Sequence, residues 1–403
     1  MTAGEHGREK PGQQLTTGLL FGLALLSAAA PLATDLYLPA LPNIVGSLDT
    51  TQAMVQLTLS GFMLGLAVGQ LIIGPISDSL GRKKLLVGGA VIALIASVIA
   101  AMAPTIEVLI LARLLQGLGS GACVVLARAV VPDLAAGRKA AKAFSLLMTI
   151  QGIAPVAAPV VGGLLLDPIG WRGLFWLLAG INVVQLLVAL VVVRESLPKA
   201  ERAEVTVRGI LANYLYVLKN PAYRGYTISF AFGFAAMFCY ISASPFVVQT
   251  QMGMSVGTFT LVFAANAVGL VAGNMLNSRL IDRYDPHAIL RAAQLFLLVV
   301  TVVLLIVVNF TISPWVIFPL LFLSVSPIGI ILGNSTALGT GEVRERAGSG
   351  SAVMGFLQFA LGAAVSPFMG LGANAALTMA FGMVACVLVS LAGQVYAGRR
   401  ILG

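Results

Sequence analysis

The chain has 403 residues, 59% hydrophobic and only 10% charged, with a net charge of +9 at pH 7 and a mean hydropathy of +0.98. A water-soluble protein of this length cannot hide so much apolar surface, so lipid is the solvent that fits. The basic excess calls for no nucleic acid; it is explained by membrane topology, with attraction to anionic lipid as a secondary effect.

In chain order, apolar runs of bilayer-spanning length fall at 16–38, 52–74, 85–103, 107–130, 143–165, 172–193, 225–248, 257–280, 289–309, 313–335, 348–370 and 374–396. They predict an all-α membrane protein of twelve transmembrane helices. A β-barrel would alternate over stretches of ~10 residues, and these runs do not alternate. At the N-terminus Arg8, Lys10 and Ala28-Ala29-Ala30 imitate a cleavable secretion signal, but the apolar run continues to Leu38, which favours a retained first span. The longest polar interruption, 194–224, divides the spans six and six. The predicted organisation is a tail at 1–15, a six-helix bundle at 16–193, a linker loop at 194–224 and a second six-helix bundle at 225–403, a known transporter plan of parallel halves.

Nearly all of the 24 Lys and Arg fall on one side of this arrangement; Arg172 lies on the other, and Arg113 lies within a span. Both termini are therefore expected in the cytoplasm. Cys123, Cys239 and Cys386 all sit in apolar runs, without the spacing of a metal or redox pair. The halves echo each other: Gly61, Gly65 and Gly69 in the second span correspond to Gly269 and Gly273 in the eighth, rows that make smooth packing faces.

The turn Gly74-Pro75-Ile76-Ser77-Asp78-Ser79-Leu80-Gly81-Arg82-Lys83-Lys84-Leu85 is wedged between the second and third spans. There Asp78 and Arg82 can pair at the membrane surface. Asn277-Ser278-Arg279-Leu280-Ile281-Asp282-Arg283 is its degraded echo after the eighth span. With this turn the chain resembles the major facilitator superfamily over nearly its whole length. The turn looks like that family's signature between helices two and three. Arg113-Leu114-Leu115-Gln116-Gly117-Leu118-Gly119 looks like its helix-four signature. The run from Gly152 through Pro155 and Pro159 to Gly162 and Gly163 is similar to the antiporter motif of helix five, with Ala158 where that motif usually has Gly. Thr34-Asp35-Leu36-Tyr37-Leu38-Pro39-Ala40-Leu41-Pro42 closely resembles the first helix of the Bcr/CflA drug-resistance transporters, which are proton-coupled drug exporters. The resemblance implies alternating access, with Asp78, Arg82, Arg128 and Asp133 as a latch between helices and Gly74, Gly81 and the helix-five Gly and Pro residues shaping the switch.

A charge inside a span is costly and needs a reason. Asp35, near the end of the first run, is either a surface residue or a shielded acid. In the second case it is suited to loading and releasing a proton, and a cationic or hydrogen-bonding drug competes for the same oxygens. Arg113 either tunes this acid, binds substrate oxygens or fixes helix packing, and Gln116 shares its helix face. Tyr37, Gln56, Gln116, Gln151, Asn266, Asn334 and Gln358 are candidate polar lining of a central cavity. Met148, Phe234, Met237, Phe238 and Tyr240 are candidate adaptable apolar lining, which suits multidrug recognition.

With the resemblance, these residues lead to the expectation of a bacterial inner-membrane transporter, monomeric and without cofactor, that exchanges small lipophilic drugs for protons. A porter for a sugar or organic acid is the alternative within transport. A membrane enzyme would need clustered catalytic groups, and both histidines, His6 and His287, are peripheral. No ATP-binding loop occurs. A transporter-like sensor would be expected to carry a signalling tail.

Overall fold

The computed structural model describes residues 15–135, 137–202, 206–372 and 374–401. The expected tail lies outside them apart from Leu15, as does the side chain of Met148. Every regular element among the described residues is helical, as lipid demands of chains that must satisfy their own backbone groups. Eleven apolar stretches are long enough to cross a membrane: Thr17–Ser47 (α1), Gln52–Leu80 (α2), Arg82–Ala101 (α3), Ile106–Leu134 (α4), Lys142–Val192, Pro221–Gln251 (α7), Val256–Leu280 (α8), Pro286–Val307 (α9), Pro314–Gly341 (α10), Arg344–Gly370 (α11) and Ala375–Gly398 (α12). The Lys142–Val192 stretch belongs to a helical run broken at Gly170, whose φ of 67° is left-handed and open to glycine. There the chain reverses, giving 137–169 (α5) and 171–187 (α6), and the crossings among the described residues number twelve.

Three boundaries differ from the sequence reading. Helix α1 does not end at Leu38; it runs on through Pro39 and Pro42 to Ser47 as short helical pieces, because each proline breaks the hydrogen-bond ladder without ending the apolar run. Asp35 is thereby moved from the expected helix end to the middle of the span. The turn after α2 shrinks to Gly81, with φ of 96°; Pro75, Ser77 and Asp78 are still helical. The linker contains an amphipathic helix, Val207–Lys219, capped by Thr206.

Small residues set the packing. A Cβ on Gly65 of α2 would lie 2.1 Å from the carbonyl of Leu114 on α4, and one on Gly117 of α4 would lie 2.0 Å from that of Phe62 on α2. The second half repeats the device: a Cβ on Gly273 of α8 would lie 2.1 Å from the carbonyl of Ser326 on α10. Helices in lipid associate through such close approach rather than through burial from water. Large apolar side chains such as Leu111, Leu164, Leu261, Val299 and Phe381 point outward, and Trp315 is 88% exposed near a helix end, as expected of a lipid-facing rim.

Candidate functional site

The site is built around the break in α1. Pro31 has no N–H to give the carbonyl of Ser27, and Gln151 of α5 donates its Nε2 there instead, at 3.1 Å. Arg113 of α4 donates Nη1 to the carbonyl of Ala33 at 2.9 Å. The carbonyl of Leu36 faces Gly162 of α5 so closely that a Cβ there would lie 1.8 Å from it. Neighbouring helices thus hold the break on both sides of Asp35. That residue is 6% exposed and lines a central cavity. Among the described residues no Lys or Arg lies within 4.0 Å of its carboxylate.

Arg113 is fully buried. Its guanidinium lies over the rings of Tyr37 and Phe62, at 4.3 Å from each centroid, with Phe175 at 5.8 Å. It also donates to Gln116. Gln116 in turn donates to Ser97 at 2.6 Å, and Asn182 donates to the same hydroxyl at 2.6 Å. Tyr37 meets Thr58 at 3.0 Å. Tyr37 and Gln116, expected in the cavity wall, therefore lie behind it, because the helix-four arginine draws both into its own polar network. Arg113→Ala is expected to destabilise the protein, since each acceptor left bare in the interior costs about 1–3 kcal/mol. Thermal unfolding of purified protein checks this: an unchanged midpoint would contradict the bracing role.

The central cavity, about 270 Å³, lies between the halves. Its first wall is polar, with Thr34, Asp35, Gln70, Arg128 and Gln151. Its second wall is aromatic. Phe234 stacks on Phe238 at 5.9 Å and meets Phe359 edge-on at 5.6 Å, while Tyr240 stacks on Phe263 at 5.7 Å. Asn266 donates to the Tyr240 hydroxyl at 2.7 Å. Met237 and Gln358 also line the space, as does Pro155. Gln56 and Asn334 do not. Gln56 joins the halves at one end, and Asn334 is held by Asn277 at 2.7 Å.

One end of the cavity is closed. Gln56 donates to the Ser242 carbonyl at 3.2 Å, Ser366 donates to the Gln56 carbonyl at 3.2 Å, and Gln249 reaches the Pro39 carbonyl at 3.0 Å. Gly163 of α5 abuts Thr260 of α8, and Gly370 abuts Ala53. Toward the other end, which carries Asp78 and Arg82, a vestibule of about 890 Å³ separates the halves and shares Gln70 and Arg128 with the cavity. The linker helix lines it with Gly209, Ile210, Asn213 and Tyr214, and Tyr214 donates to the Leu71 carbonyl at 2.9 Å.

At the vestibule rim Arg82 meets Asp78 at 2.6 Å and Asp133 at 3.1 Å, and also donates to Ser77. Ser196 donates to Asp133 at 2.7 Å, and Glu195 accepts from the Arg82 backbone at 2.8 Å. Gly81 turns beneath the Arg202 and Glu195 side chains, and Gly74 faces the vestibule. Arg128, expected in this cluster, is not in it. It lies five residues before Asp133, more than a third of a turn round α4, and its Nη2 donates to Gln151 at 2.8 Å. Pro155 and Pro159 sit inside α5, and Gly152 faces open space.

Residues 23–367 match the family model described as Major Facilitator Superfamily. The chain belongs to the major facilitator superfamily. It is a multi-pass membrane transporter. An MFS-type transporter of Bacillus subtilis, YdgK, is 34% identical over 93% of this chain and 94% of its own. A bicyclomycin resistance protein homolog of Haemophilus influenzae is 27% identical over 97% and 98%. Among solved structures, a bacterial homolog of the human lysosomal transporter Spinster has a TM-score of 0.72 at 17% identity, covering 94% of this chain and 95% of that one. At that identity the likeness speaks for the fold alone.

Sequence reasoning passed over several lining residues of this superfamily member: Gln70, Thr34, Phe263 and Phe359. Phe263 carried a usable signal, since Phe259, Phe263, Asn266 and Leu270 recur at helical spacing around a polar residue in an apolar run.

Proposed function

We propose that this transporter exports small lipophilic drugs from the bacterial cytoplasm in exchange for protons, as a monomer with both termini cytoplasmic. The observation that carries the reading is Asp35, the one carboxylate among the described cavity-lining residues, set in a broken helix and sharing the cavity with an aromatic wall. Proton and cargo compete for that carboxylate, so loading one discharges the other. The excess of Lys and Arg at the vestibule end supports a cytoplasmic vestibule, and the conformation described here is then open inward. The bicyclomycin resistance protein homolog supports drugs as the cargo class. The Arg82 cluster acts as a latch between helices that holds one conformation closed; surface ion pairs are individually weak, so its contribution is conformational bias. A porter of small organic acids is the second reading, favoured by Arg128 in the cavity wall.

Proteoliposomes with an imposed pH gradient and a panel of antibiotics, dyes and organic acids test this. Drug movement should follow the gradient and stop when an ionophore collapses it. Movement indifferent to the collapse would remove proton coupling, and movement of organic acids alone would favour the second reading.

A further inference from the structure

We infer that Arg128 reads an anionic or hydrogen-bond-accepting oxygen of the cargo, so that the favoured cargo is an aromatic lipophile bearing a carboxylate or similar acceptor, in preference to a plain lipophilic cation. The inference rests on the export reading and names its substrate class.

Arg128 stands at the throat, lining both the central cavity and the vestibule. Its fork is oriented by neutral groups: Nη2 donates to Gln151, and Gln151 is pinned by the Ser27 carbonyl that Pro31 leaves free. Among the described residues no carboxylate lies within 4.0 Å of Arg128, and the Asp78 and Asp133 carboxylates at the same end of the molecule are held by Arg82. Among the described residues the buried Nε of Arg128 has no partner. A half-buried guanidinium, fixed in direction and lacking a carboxylate among the described residues, is a poor structural brace and a good receptor for planar oxyanions. The rings of Phe234, Phe238 and Phe359, on helices of the other half, line the same cavity. A solute with an aromatic body and an acceptor group therefore meets both walls at once: its ring meets the aromatic wall and its oxygen meets Arg128. A hydrogen-bond donor or cationic group elsewhere on the same cargo competes with the proton for Asp35, which occupies a different part of the polar wall on α1.

The rival account is that Arg128 carries no cargo and pairs with the latch carboxylates once the vestibule closes. The two separate cleanly with a rhodamine bearing a free carboxylate and its methyl ester, which share one ring system. Binding of each to the full-length purified protein is followed by fluorescence anisotropy, alongside pH-driven uptake into proteoliposomes. The wild type should bind the carboxylate more tightly than the ester. Arg128→Gln should weaken the carboxylate about tenfold, the scale of one lost charge-assisted contact, and leave the ester unchanged. Gln151→Leu, which keeps the charge but frees its direction, should shift the carboxylate in the same sense by less. Equal weakening of both probes, or a wild type indifferent to the carboxylate, overturns the assignment. Should Arg128→Gln fail to fold, Gln151→Leu and Arg128→Lys carry the same comparison, and no selective loss in either overturns it. Selective binding without gradient-driven uptake would instead defeat the export reading while leaving Arg128 as the acceptor-reading residue.

Discussion

Asp35→Asn is expected to reduce pH-gradient-driven export to the level of empty vesicles, with the protein still inserted and folded. The amide matches the carboxylate in shape and cannot exchange a proton under the conditions of transport. Asp35 has no ion-pair partner within 4.0 Å among the described residues, so removing its charge strands no cation. A charge at membrane depth carries a penalty of roughly 2.5–3.5 kcal/mol on insertion scales, and the substitution removes it. Lost export at undiminished protein level therefore isolates coupling from stability. Asp35→Glu keeps the titrating group on a longer stem and should retain part of the activity. Full drug resistance in cells producing Asp35→Asn would overturn the role given to this residue.

Gly162→Ala is expected to cost most of the transport rate through a single methyl group. The added Cβ would lie 1.8 Å from the carbonyl oxygen of Leu36. The obstacle is main chain, which cannot rotate out of the way as the end of a side chain can. Helix α5 must step back from α1, and Leu36 is the residue after Asp35, so the broken segment that aims the carboxylate moves with it. Overpacking of this kind costs about 1–3 kcal/mol, and where that strain falls on the transport barrier a fall of about tenfold or more follows. Gly152→Ala on the same helix faces open space and should behave as wild type. Export rates normalised to folded protein decide the matter: equal behaviour of the two variants would show that close contact at Leu36 is not what positions the acid.

The membrane class, the helical fold and most helix starts could be read from composition and run length, because a bilayer imposes one rule on every span. What failed was local. The end of α1 was misplaced because Pro39 and Pro42 look like terminators when only sequence is considered, whereas here the chain continues through both as short helical pieces to Ser47. The two arginines of α4 illustrate the limit for the site. Arg113 and Arg128 both read as charges on one apolar helix, and their spacing does not say which turns inward to the aromatic rings of its own half and which faces the other half. That depends on how the bundles lean together. The aromatic wall, by contrast, was partly visible as Phe234, Met237, Phe238 and Tyr240, which cluster along a single helix.

The most direct measurement is proton release when cargo binds to purified protein in weakly buffered detergent solution, read by a pH indicator at a pH where the acid is protonated before cargo arrives. The exchange account predicts release into the medium on adding drug to the wild type and none with Asp35→Asn, although that variant still binds. No release from the wild type on saturating binding, or release that persists in Asp35→Asn, would contradict it.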